Sequence, residues 1–198
     1  MRRAADWCRQ RGVSVLETHE PGGTALGQAI REVFLDRRWG ALDGRVEALL
    51  VFASRRQHLL EVIDPALARG STVFCDRFTD STIAYQGYAR GVPFSVLEKA
   101  DELATGRRVP DHTLLFDLPP EEARRRGQSQ ERTKTGSVDR LDAEELDFYE
   151  DVRRGYLELS RRDPERFSVI DSTGSLEETE RQTLTVLGVL LRSAGEEA

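Results

Sequence analysis

Apolar residues in this chain fall into short consecutive runs, separated by stretches in which they recur every three or four positions. Val13 to Thr18, Thr72 to Cys75, Thr113 to Leu118 and Phe167 to Asp171 are the runs, and they read as strands covered on both faces of a sheet. Between them lie helix-length segments. Val46, Leu49, Leu50, Ala53, Gln57, Leu60 and Ile63 recur at helical spacing, and Asp142 with Glu145 and Ser175 with Glu178 have the spacing of capping boxes. Strand and helix in alternation predict one α/β domain over residues 1–198, a three-layer parallel sheet wrapped by helices with right-handed crossovers. Ligands in such folds sit at the carboxyl ends of strands. Three chemically dense segments fall there: EPGGT (20–24), DRFTDSTIAYQG (76–87) and the arginine-rich stretch after the third strand.

Composition narrows the class. With 32% charged and 38% hydrophobic residues the 198-residue chain is an ordinary globular protein, and a net charge of -6 argues against a nucleic-acid coat. The N-terminal MRRAADWCRQRG lacks the apolar core of a signal peptide, and runs such as Val189-Leu190-Leu191 are too short to span a bilayer. Cys8 and Cys75 match neither a disulfide framework nor a metal spacing, so a reducing cytoplasm is the simple reading. His19, His58 and His112 fit no triad and read as incidental.

Glu20-Pro21-Gly22-Gly23-Thr24 places a glycine turn before a helix from about Ala25 to Leu35, where backbone amides offer an anion site or simply a strand-to-helix turn. Asp76-Arg77 sets a guanidinium able to take a phosphate beside a carboxylate able to hold hydrated magnesium; the alternative is a salt bridge capping the strand. Thr79, Ser81, Thr82, Tyr85 and Gln86 crowd hydroxyl, ring and amide groups nearby. Phe52 and Arg56, four apart on a helix, suit a clamp on a flat base, although such a Phe is more often core. Gly127 to Val138 is polar and aperiodic and reads as a mobile loop, ringed by Arg124, Arg125, Arg126, Arg132, Lys134 and Arg140, either a flap over a polyphosphate or a solvated charge run.

In this order the runs THEPGGT, VFASRRQ, DRFTDSTIAYQGYARG and ARRRG through VDRLD resemble thymidylate kinase, a P-loop nucleoside monophosphate kinase that moves the γ-phosphate of ATP onto dTMP, over most of the chain from Met1 to about Leu191. The resemblance implies that Phe52 stacks on thymine and Arg56 reaches a base carbonyl. It implies that Arg77 holds the dTMP phosphate, that Glu20 and Asp76 lie near the sugar and a hydrated Mg2+, and that Thr82, Tyr85 and Gln86 line base and deoxyribose. Arg126 and Arg140 would act from a lid spanning about 120–141, Asp171 to Gly174 would approach adenine, and a homodimer would form through helices on one face of the sheet. Positioning and charge neutralisation suffice for such chemistry, with no general base.

The pattern departs at one place. Neither Lys99 nor Lys134 follows a glycine, so no G-x-x-x-x-G-K-[ST] loop is found. The first strand of the family is also expected to be missing between those ending at Cys75 and Leu118, which exposes two inner edges and removes roughly 8 kcal/mol of buried aliphatic surface. The expectation is a start downstream of the true one or a truncated copy, with poor or absent kinase activity. The alternative is a catalytically dead dTMP-binding remnant or scaffold. His19 stands where the family usually has Arg.

Overall fold

The computed structural model describes residues 1–131 and 139–196. Its elements run α1 (Arg2–Arg9), β1 (Val15–His19), α2 (Ala25–Leu35), α3 (Gly44–His58), α4 (Asp64–Ala68), β2 (Thr72–Asp76), α5 (Thr79–Thr82), α6 (Phe94–Thr105), β3 (Thr113–Asp117), α7 (Pro120–Glu131), α8 (Leu146–Arg162), β4 (Phe167–Asp171) and α9 (Leu176–Glu196). Wider π-helical turns over Leu59–Ile63 and Ile83–Ala89 extend α3 and α5.

All strand pairing is parallel. β1 lies on β2 with Val15 opposite Thr72 and His19 opposite Asp76, and β3 lies on β4 with Thr113 opposite Phe167. The strands form two pairs, and among the described residues no ladder joins β2 to β3, the two edges expected to lack a neighbour. Both of these strands are only half-buried along most of their length, and Phe116 is 49% exposed. Side chains and helices bridge the halves. Asp80, just past β2, accepts both Arg166 Nη1 at 2.8 Å and Nη2 at 2.9 Å, and Thr113 Oγ1 donates to it at 2.9 Å. α8 lays Phe148 and Val152 on Ala84 and brings Tyr156 and Tyr149 around Tyr85.

Helix ends follow their local signals with one exception. Thr24 caps α2 by accepting from the Gly27 amide at 2.9 Å, and Ser175 and Glu178 exchange hydrogen bonds as a capping box before α9. The box expected at Asp142 and Glu145 is displaced: Asp139 and Asp142 bond each other's amides reciprocally, and α8 begins at Leu146 with no side-chain cap. The segment expected to be a loop from Gly127 is helical as far as Glu131. Arg132, Lys134 and the remainder to Val138 lie outside the described residues.

α3 buries a different face from the one its apolar spacing marks. Ala48, Val51, Phe52, Ser54, Arg55, His58 and Leu59 point inward, whereas Val46, Leu49 and Leu60 are exposed. A helix turns about 100° per residue. Phe52 lies near one edge of the buried arc, so four residues on, at Arg56, the helix has turned out of it, while Arg55 lies at its centre.

Candidate active site

The carboxyl ends of β1 and β2 carry a sealed network of polar side chains. Glu20, Arg55, His58 and Thr82 are each at most 2% exposed. Arg55 Nε donates to Glu20 Oε2 at 2.6 Å and Nη2 donates to Thr82 Oγ1 at 3.0 Å. His58 Nδ1 meets Glu20 Oε1 at 2.9 Å, and its Nε2 meets Thr18 Oγ1 at 2.6 Å. The Arg55 guanidinium lies between two rings, 5.1 Å from the Phe52 centroid and 4.8 Å from that of Phe78. Its third nitrogen, Nη1, is buried with no hydrogen-bond partner among the described residues. Such a donor is expensive to leave unmet, which suits it to meet an acceptor on a bound ligand or water.

The EPGGT turn is shaped around this network. Gly23 has φ +76, and a side chain there would run into the His58 ring. Gly22 N donates to Ser54 Oγ at 3.1 Å, tying the turn to α3.

Glu20, His58 and Cys75 place ligand atoms within 4.8 Å of one another. They form a poor metal site. Both Glu20 oxygens and both His58 nitrogens already have partners, and burial drives the Cys75 thiol far above its usual range, against the thiolate a metal needs.

Arg77 and Asp76 stand at the mouth. Arg77 adopts φ +71, a left-handed conformation unusual for a side-chain-bearing residue, and its guanidinium lies 4.8 Å from the Tyr85 ring centroid. It has no carboxylate partner among the described residues, and the exposed Asp76 carboxylate accepts no hydrogen bond among them. Asp76 is therefore not a salt-bridge cap on Arg77, and its hard oxygens suit the water shell of Mg2+. Tyr85 in turn packs edge-on against Phe148 and Tyr156.

Several expected site residues stand elsewhere. Arg56 faces solvent, and Arg55 takes the inward position. Phe52 is 4% exposed within a cluster with Ala48, Val92, Leu97 and Ala104, and it carries the Arg55 guanidinium instead of standing open to a base. Both oxygens of Glu20 are engaged by Arg55 and His58, which removes it from direct contact with a sugar or ion. Arg140 is 5% exposed, donating Nε to Phe34 O at 3.0 Å and Nη1 to Glu47 Oε1 at 2.7 Å, and so anchors the end of the arginine-rich segment on α2 and α3. Arg126 is bonded to Glu122 and to the carbonyls of Ser172 at 2.8 Å and Thr173 at 2.6 Å. Thr82 and Gln86 are buried on one face of the 79–89 segment. Arg55 and Glu47 went unmarked in the sequence, and His58, expected to be incidental, is bonded to Glu20 and Thr18 inside the network; the i, i+3 spacing of Phe52, Arg55 and His58 was the available signal.

Fold and strand-end chemistry together place the chain among nucleotide-binding α/β transferases. A family model described as thymidylate kinase matches residues 1–183. The chain is 45% identical to a thymidylate kinase of Desulfovibrio desulfuricans over 96% of its own length and 89% of that protein's. It is 46% identical to one of Geobacillus thermodenitrificans over 92% and 80% respectively. The crystal structure of thymidylate kinase from Ehrlichia chaffeensis matches with a TM-score of 0.72 at 30% identity, covering 96% of this chain and 88% of that one. The chain belongs to the thymidylate kinase family. No described helix is long and apolar enough to cross a membrane.

Proposed function

We propose that the chain binds dTMP beyond the ends of β1 and β2 and that ATP phosphorylates it there to dTDP. One observation carries the base assignment. Arg55 Nη1 is a sealed donor without a partner, and Gln86, four residues beyond the Thr82 that holds Arg55, donates Nε2 to Glu47 while Oε1 accepts no hydrogen bond among the described residues. Thr82 and Gln86 are both buried along the 79–89 segment, and a free donor and a free acceptor of this kind complement the carbonyl and N–H of a pyrimidine imide edge.

Arg77, without an ion pair to a carboxylate among the described residues and held at the strand end, takes the dTMP phosphate, with Tyr85 beneath its guanidinium. Asp76 would hold Mg2+ through water, and the bound ion would supply neutralisation of phosphate charge. Thr82 and Glu20 act through Arg55, fixing its orientation. Arg126 steadies the 172–174 turn, which in this reading approaches adenine. The exposed stripe of Val46, Leu49 and Leu60 on α3 supports a homodimer, since an apolar helix face of this kind is commonly covered by a partner. Cys8 and Cys75 as free thiols support a reducing, cytoplasmic setting.

A second reading, dTMP binding without turnover, is favoured by one feature: neither Lys99 nor Lys134 belongs to a glycine–lysine phosphate loop within these 198 residues. Calorimetric titration with dTMP and with ATP, followed by a coupled assay for ADP and dTDP, separates the two. Binding of both with turnover supports the kinase; binding of dTMP alone supports the second reading; absence of dTMP binding to folded protein overturns both.

A further inference from the structure

Glu47 lies on α3 and is completely buried. It gathers three donors from two other parts of the chain. Gln86 Nε2 donates to its Oε2 at 2.9 Å, Arg140 Nη1 to its Oε1 at 2.7 Å, and Arg90 Nε to both oxygens at 3.2 and 3.3 Å. Arg140 is itself fixed by the Phe34 carbonyl and Arg90 by Glu144, so the carboxylate has little freedom to turn.

We infer that Glu47 is a positioning residue that sets the base specificity of the site, by obliging the Gln86 amide to show its carbonyl to the nucleotide. The inference rests on the reading of Gln86 as a base-lining residue. A carboxylate bonded to two guanidiniums offers acceptors only, so the Gln86 group turned toward it must be the NH2. Flipping the amide would set Oε1 against the Glu47 oxygens and leave Nε2 without an acceptor. The amide orientation is therefore dictated by a neighbour's chemistry. A fixed acceptor admits a base with a ring N–H at position 3, as thymine has, and rejects one with a lone pair there, as cytosine has; sites that hydrogen-bond a substrate group discriminate strongly against analogues lacking it.

The test compares dissociation constants for dTMP and dCMP in the wild-type chain and in Glu47→Gln, whose side-chain amide can either donate to Gln86 or accept from it. The inference expects wild type to prefer dTMP and the variant to lose about tenfold or more of that preference, with dTMP weakened and dCMP strengthened. A role that is only structural would weaken both nucleotides alike and leave the ratio unchanged, and that result overturns the inference. A wild-type chain that binds neither nucleotide overturns the underlying reading of the base site instead. Should Glu47→Gln fail to fold, NMR of the wild-type chain decides. On adding dTMP the Gln86 side-chain 13Cδ resonance should move while its 15N–1H2 pair, held by Glu47, stays in place. Movement of the NH2 pair with a static carbonyl would contradict the proposal.

Discussion

The two strand pairs end in opposite ways. Beyond β1 and β2, behind the exposed Asp76 and Arg77, a polar network is sealed, with Glu20, Arg55, His58 and Thr82 bonded to one another and almost wholly out of water. Beyond β3 and β4 they are open. Arg153 donates to both Asp117 oxygens at 2.7 and 2.8 Å with side chains 38% and 21% exposed, and Arg126 grips the 172–174 turn from the surface. Water can replace a lost partner at the second end and cannot at the first. The sealed end is thus suited to holding one fixed geometry, and the open end tolerates rearrangement of its side chains.

The largest expected effect is on stability. Glu20→Ala leaves the Arg55 guanidinium buried without its counter-charge, and urea unfolding should show a loss of about 3–5 kcal/mol. Next comes ligand affinity: Arg55→Met should weaken dTMP binding about 10- to 150-fold, the equivalent of about 1.5–3 kcal/mol for a hydrogen bond to a charged group. Arg56→Met, made one residue along on the solvent side, should stay within about twofold. Equal effects at the two positions would erase the distinction between inward and outward faces of α3.

A third expectation concerns alkaline pH. Burial pushes the Tyr156 phenol up to about 12 from an ordinary 10. Its folded-state pKa is raised, so the neutral phenol favours the folded state. That contribution is fully present below pH 10 and is lost as pH rises from about 10 to 12, with a slope of at most about 1.4 kcal/mol per pH unit. Tyr156→Phe should flatten the pH dependence of the unfolding midpoint in that window. The smallest effect is at the open end: Asp117→Ala should cost about 1 kcal/mol or less, because a solvent-screened pair contributes little. A loss matching that of Glu20→Ala would show the two ends to be energetically alike.

The sequence made the strands legible because consecutive apolar residues bounded by turns have few other readings. All four appear within two residues of their expected limits. Ala25–Leu35 was equally plain, with Thr24 as its cap and glycines before it. What stayed hidden depends on rotation and on distant partners. Phe52 with Arg56 and Phe52 with Arg55 are both good helical spacings, and only the packing of α3 on the 78–89 segment decides between them. His58 has no motif around it; its role comes from Glu20 and Thr18, about forty residues away in sequence. Arg140 was read for its charge, whereas Glu47 and the Phe34 carbonyl neutralise and bury it.

Central to this account is a pyrimidine imide edge read by the unpartnered Arg55 donor and the Gln86 carbonyl. Calorimetric titration of the wild-type chain with dTMP and with its N3-methyl analogue tests it most directly, since the methyl group removes the N–H and changes little else. The account predicts measurable dTMP binding and affinity for the methylated nucleotide lower by about 100-fold or more. Equal affinity for the two would contradict it.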